Sequence, residues 1–199
     1  MTAAPLEAGF VDSVRESQAV FRAVMMALAR PGSLQPLTLS LMPPTPLTAE
    51  LAAIALALAD HEASLWLDAP LAASPEAAAF LKFYTGARQV AHPSMAAFAL
   101  ISDPRTMPSL ADFALGTDEY PDRSTTLVIA VDGIAANGPL TLEGPGIKGT
   151  SRLALSPLPT NFIADRAENH ALFPRGVDCV FVAPGVVAAL PRTTVVRER

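Results

Sequence analysis

Thr125-Thr126-Leu127-Val128-Ile129-Ala130-Val131 is a continuous run of β-branched and apolar residues, and it decides the fold class. A half-exposed strand would alternate apolar with polar positions, so this run reads as a central strand covered on both faces. On either side of it helical and strand patterns alternate. Towards the amino end, Val14, Phe21, Val24, Met25 and Leu28 recur at three- and four-residue spacing, which predicts an amphipathic helix over 12–29 that Pro31-Gly32 ends. Residues 34–41 alternate like a strand, and Pro36 confines that strand to an edge. Thr48 caps a second predicted helix reaching about Asp60, and residues 64–67 form a strand around Trp66. Ser74-Pro75-Glu76 combines a cap, a proline in the first turn and a carboxylate at the positive end of the helix dipole; that third helix runs to Gly86. A strand over 98–102 and a short helix over 109–115, stopped by Gly116, complete this half.

Beyond the central run, Gly133 and Asn137-Gly138 supply turns, and residues 139–143 are expected to return as the second arm of a hairpin. A fourth helix is predicted over 160–172, closed by Pro174 and Gly176. Residues 179–182 and 186–190 make a second predicted hairpin around Pro184-Gly185, followed by an extended tail. This interleaving predicts an α/β fold: a three-layer mixed sheet with helices on both faces, built as one domain over 1–199.

Composition narrows the function. Apolar residues make up 51% of the chain and charged residues 17%, which excludes disorder and predicts partners for a surface richer in apolar area than a monomer tolerates. The net charge of −5 argues against a nucleic-acid surface, which needs clustered cations to displace counterions. No basic stretch followed by an apolar one opens the sequence, and the longest apolar stretch, residues 51–59, is far short of the ~20 residues that span a bilayer, so a cytoplasmic protein is expected. Cys179 sits in the apolar run Cys179-Val180-Phe181-Val182 and reads as a buried, reduced thiol.

The residues that resemble chemistry each carry two readings. Gly144-Pro145-Gly146-Ile147-Lys148-Gly149-Thr150-Ser151 has the glycines with which backbone amides can cradle an anion, yet Lys148 precedes Gly149 where a Walker loop needs the reverse order, and no helix start follows; a tight strand-to-loop turn is the favoured reading over phosphate binding. Arg192, beside Thr193 and Thr194, could fork onto a phosphate or carboxylate, or else pack on a sheet edge or form a salt bridge across an interface. His61, His92 and His170 lack metal-ligand spacing, and no Gly-x-Ser-x-Gly elbow is present.

The same segments, taken in order, carry a family resemblance. They are Gly9-Phe10 leading into Phe21-Arg22; Ala27 to Pro31-Gly32; Gly116-Thr117 before Tyr120-Pro121; Leu142 to Gly144-Pro145-Gly146-Ile147; Phe173-Pro174 with Gly176-Val177-Asp178; and Leu190-Pro191-Arg192-Thr193-Thr194. Their succession resembles the PhnH family of the bacterial carbon–phosphorus lyase system over nearly the whole chain. The resemblance implies a fold related to the large domain of pyridoxal-phosphate-dependent transferases, without the cofactor. Consistent with that loss, the only lysines that could form a Schiff base are Lys82, in an amphipathic helix, and Lys148, in the glycine loop.

The resemblance further implies a homodimer that joins PhnG, PhnI and PhnJ in a core complex. With PhnG, PhnI and PhnL, family members are associated with replacing the adenine of ATP by an alkylphosphonate, giving ribose 1-phosphonate 5-triphosphate. Radical cleavage of the carbon–phosphorus bond is assigned to PhnJ, and a chain with one cysteine offers no iron–sulfur cluster for that step. Displacement at the anomeric carbon needs anion binding and stabilisation of a cationic sugar ring. An acidic, lysine-poor chain is therefore expected to act as a platform and one wall of a shared site, with nucleosidase chemistry centred on PhnI. The resemblance supplies no catalytic residue. Arg192, Thr193, Gly144, Gly146 and Arg22 are the ligand-binding candidates of the residue-level reading. The alternatives are a purely structural assembly subunit and an independent nucleotide- or pyridoxal-dependent enzyme.

Overall fold

The computed structural model describes residues 9–198. Its helices are α1 (Ser13–Ala29), α2 (Ala49–Leu58), α3 (Ala69–Ala72), α4 (Pro75–Thr85) and α5 (Phe162–Ala171). Its strands are β1 (Gln35–Pro36), β2 (Ser64–Leu67), β3 (Arg88–Gln89), β4 (Phe98–Ile101), β5 (Thr126–Ala130), β6 (Gly133–Glu143), β7 (Ser151–Ser156), β8 (Asp178–Ala183), β9 (Val186–Leu190) and β10 (Val195–Glu198). The caps explain where the helices begin. Asp12 Oδ1 accepts the Arg15 amide at 3.1 Å while Glu16 Oε1 accepts the Asp12 amide at 2.8 Å, a reciprocal box that opens α1. Thr48 Oγ1 accepts the Leu51 amide and Ser74 Oγ the Ala77 amide, both at 3.2 Å, and Gly86 closes α4.

Seven strands form one mixed sheet in the order β1-β9-β8-β5-β4-β2-β3, with β5 in the middle as predicted. Strands β3, β2, β4, β5 and β8 run parallel; β9 and β1 are added antiparallel at one edge. Alternate side chains of the central strands divide two cores. Leu100, Val128 and Val180 meet Val24 of α1, Ile54 of α2 and Phe80 of α4. On the other face Ile101, Ile129 and Phe181 meet Phe162 of α5 and Leu142 and Leu153 of a second sheet. That three-stranded antiparallel sheet has the order β10-β6-β7. The molecule is thus mixed α/β, with helices on both faces and a small sheet sharing one of them.

Four local expectations need correction. Residues 139–143 do not return beside β5: they belong to β6, which pairs with β7 and β10, and a register shift between Ala136 and Leu140 carries the strand past Asn137-Gly138 without a hairpin. The predicted 34–41 strand shrinks to Gln35–Pro36, at the expected edge. The short helix over 109–115 is one 3-10 turn, Leu110–Asp112. The extended tail is β10, paired from Val195 opposite Glu143 to Glu198 opposite Leu140. The expected absence of a leader falls partly on residues 1–8, outside the described residues. Among those described, no helix is long and apolar enough to cross a membrane.

Candidate functional site

The two ends of the parallel strands carry different polar machinery. At the amino end, antiparallel pairing of Cys179 with Leu190 brings residues 191–194 alongside Asp178 and next to Ser124, which precedes β5. Arg192 enters this gap. Its Nε donates to Asp178 Oδ1 at 3.2 Å and its Nη2 to Asp178 Oδ2 at 2.6 Å, a bidentate pair; Nη2 also donates to Ser124 Oγ at 2.6 Å. Nη1 donates to the Pro121 carbonyl at 2.7 Å and the Pro174 carbonyl at 3.4 Å. Asp178 also accepts the Arg192 amide at 2.7 Å. Every guanidinium nitrogen therefore has an acceptor within the chain, and the pair is mostly shielded, with side-chain exposures of 14% and 22%.

Beneath the same turn lies Arg166 of α5, 1% exposed, whose Nη2 donates to the carbonyls of Pro191 at 2.6 Å and Thr194 at 3.0 Å. Among the described residues its Nε and Nη1, and the hydroxyl of buried Thr194, have no partner at hydrogen-bond distance. Burial pushes the neighbouring Cys179 thiol up to about 11, with Arg166 opposing the shift, so at neutral pH this cysteine is a protonated core residue.

The glycine loop is fitted to this turn and to α1. Gly144 (φ 137°) lies where a Cβ would stand 2.9 Å from the Thr193 carbonyl oxygen. At Gly146 (φ 81°) a Cβ would overlap the carbonyl oxygen of Ala29, at the end of α1. At both glycines backbone of the same chain stands where a side chain would project. The structure therefore joins Arg192, Thr193, Gly144 and Gly146 in one chain of contacts. Arg22 lies elsewhere, exposed on α1 and lining a groove of about 450 Å³ with Phe21 and Met25. Beside Arg192 and Thr193 a second hollow, about 380 Å³, is lined by Phe173, Pro174, Pro121 and Pro191.

At the carboxyl end, the connections leaving β2 and β4 diverge: α3 and α4 lead to β3 on one side, while the chain after β4 reaches β5 on the other. Ligands of open α/β sheets favour such a crevice. Here Asp68, 2% exposed, fills it. Its carboxylate accepts the amides of Leu71 at 3.2 Å, Ser102 at 2.6 Å and Asp103 at 3.0 Å, and the Ser102 hydroxyl at 2.9 Å. Next to it a cavity of about 300 Å³ is lined by Ser102, Asp103, Arg105, Asp132 and Glu50. Arg105 donates from Nε to Asp103 Oδ1 at 2.9 Å, and this hydrogen bond is the main reason the Asp103 carboxyl titrates below its ordinary range. Three carboxylates against one guanidinium make the cavity a poor place for a polyphosphate. Among the described residues no cluster of three or more His, Cys, Asp or Glu side chains suits a metal ion.

Sequence reasoning named neither Asp68 nor Arg166 and gave Asp178 no site role. Arg166 had a detectable signal, since Phe162, Arg166 and Asn169 fall at four- and three-residue spacing on the buried stripe of α5.

Several segments that carry the resemblance meet around the 191–194 turn. Gly116 packs on the carbonyls of Tyr120 and Pro121, the Gly176 amide donates to the Leu115 carbonyl at 2.8 Å, and Gly32 packs on Leu142 and Ser151. Comparison with known proteins gives a concordant result. Residues 8–197 match the family model described as bacterial phosphonate metabolism protein (PhnH). The alpha-D-ribose 1-methylphosphonate 5-triphosphate synthase subunit PhnH of Rhizobium meliloti (strain 1021) is 43% identical over 185 residues, covering 93% of this chain and 92% of the relative. A putative C-P lyase subunit protein, HtxG of Stutzerimonas stutzeri, is 39% identical over 80 residues, covering 40% of this chain and 41% of that protein. With a family model and a curated relative both matched across nearly its full length, the chain belongs to the PhnH family.

Proposed function

We propose that the chain is a subunit of an alpha-D-ribose 1-methylphosphonate 5-triphosphate synthase, taking part in organophosphonate catabolism within a carbon–phosphorus lyase complex. The observation that carries this reading is the 43% identity to a protein of that name, spread over 93% of the chain. In this reading the chain is one cytoplasmic domain related to the large domain of pyridoxal-phosphate-dependent transferases, free of the cofactor. It forms a homodimer and joins PhnG, PhnI, PhnJ and PhnL, where transfer of the ribose triphosphate of ATP to an alkylphosphonate takes place.

The chemistry of the chain supports a contributing role over an independent one. Arg192, its best-placed anion fork, already has acceptors at each nitrogen, and the glycine loop is packed against backbone. The cavity at the carboxyl end has the wrong charge for a triphosphate. Arg192, Thr193, Gly144 and Gly146 act in this reading by holding a surface in shape for a neighbouring subunit, and Arg22 lies on an exposed helix face. The purely structural alternative differs only in giving the chain no wall of the shared site.

Reconstitution with and without this chain tests the reading. Omitting it is expected to abolish ATP- and alkylphosphonate-dependent formation of the ribose phosphonate triphosphate, measured by phosphorus NMR. Full conversion by the remaining subunits would overturn it, and turnover of a phosphorylated metabolite by the isolated chain would favour an independent enzyme. Arg192→Lys separates the two forms of the reading. Product loss from a complex that still assembles places Arg192 beside substrate, and unchanged product in that complex leaves it structural.

A further inference from the structure

We infer that the groove between α1 and α2 receives an acidic amphipathic helix from a different subunit, an inference that rests on the subunit reading above. On α1, Val14, Phe21 and Met25 are 64%, 49% and 48% exposed, although they lie at helical spacing on one side of a helix whose buried stripe is Val20, Val24 and Ala27. A helix normally turns one apolar stripe to the core and a polar face to water. This one carries a second stripe. Two hollows of about 450 and about 290 Å³ adjoin at Ser17 and follow that stripe beside Leu56 and Ala57 of α2. From Ser13 to Met26 they track a length of ~20 Å, enough for three to four turns of a docked helix.

Charge decides the occupant. Arg15 and Arg22, seven positions apart, share one face of α1 about 100° round from Val14 and Phe21, so a cationic row flanks the apolar one in a chain of net charge −5. Arg15 has only a loose, exposed contact with Asp12 at 3.5 Å, and among the described residues Arg22 is in no ion pair. Glu16, the one carboxylate on α1, is already engaged by the Asp12 amide and, at 3.1 Å, the Ser40 hydroxyl. A second copy of this chain seated on the groove about a two-fold axis would bring the same surface, with two arginines on α1 and Glu16 as its single, already engaged carboxylate, and so too few carboxylates to answer the cationic row. A helix with apolar residues at i, i+4 and i+7 and carboxylates along one flank satisfies both rows.

The test uses the full chain assembled with the other subunits of the synthase, with affinity measured by sedimentation. Phe21→Glu is expected to weaken assembly ~100-fold and Arg22→Glu ~10-fold, since a central aromatic anchor outweighs a rim charge. Both side chains are exposed, so the melting temperature of the isolated chain stays unchanged. Met95→Glu, an exposed apolar position on another surface, is expected to assemble normally. A photoreactive phenylalanine in place of Gln18, which lines the groove, should cross-link to a carboxylate-bearing helical peptide of another subunit, identified by mass spectrometry. The inference is overturned by wild-type affinity in both groove variants, by equal weakening in Met95→Glu, or by cross-linking to a second copy of this chain or to a segment without carboxylates. If the wild-type chain itself fails to assemble, the subunit reading falls along with the groove.

Discussion

The amino and carboxyl ends of the same parallel strands both hold a carboxylate, and each solves the cost of removing it from water differently. At the amino end, Asp178 is matched by Arg192, and the pair stitches segments near residues 121, 124, 174 and 192. At the carboxyl end, Asp68 has no ion-pair partner among the described residues and is held by three amides and a hydroxyl. A carboxylate met by backbone amides needs only the local turn geometry. One met by a guanidinium depends on a second side chain from a remote segment, so its loss strands a charge.

Substitutions should therefore separate the two ends. The largest effect is expected from Asp178→Ala, which leaves Arg192 mostly shielded and without its counterion, at a cost of about 3 kcal/mol. A double-mutant cycle with Arg192→Ala, read by urea unfolding, should recover coupling above ~1 kcal/mol, and simple additivity would refute the pairing. Asp68→Asn keeps the shape but turns an amide group towards backbone donors, so a smaller loss of about 1–3 kcal/mol is expected. No partner substitution should rescue it. Gly146→Ala should cost about 1–3 kcal/mol through its left-handed backbone and the Ala29 carbonyl; unchanged stability would show that the loop does not rest on α1.

A smaller effect concerns pH. The Cys179 thiol titrates near 11 in the fold against 9.0 as a reference, so its contribution is complete below 9.0 and is lost as pH rises towards 11. The wild-type melting temperature should fall more steeply over that interval than that of Cys179→Ala. Smallest of all, Arg105→Ala removes an exposed pair with Asp103 and should leave the melting temperature unmoved.

What could be read from the sequence follows the range of the interactions. Ser74-Pro75 and Thr48 announce their helices because the cap bonds reach only three residues ahead. The 125–131 run shows itself as a buried strand because both faces are apolar. The destination of residues 139–143 was hidden, since their partners are residues 151–153 and 195–198 and the turn-like Asn137-Gly138 sits in a register shift. The site was hidden for the same reason. Arg192 reads as either a free fork or a packed, salt-bridged residue until Pro121, Ser124, Pro174 and Asp178 arrive from other parts of the chain.

Gln35 pairs with Val187 at the sheet edge, so one of the earliest described strands closes against one of the last. That pairing, with β5 and β8 joined across the intervening β6, β7 and α5, spends chain entropy on distant meetings before much contact rewards it. Refolding should accordingly be slow for a chain of this length. Until β9 docks, the apolar edge of β8 stands open to other molecules, and dilution during renaturation should raise the yield of native protein.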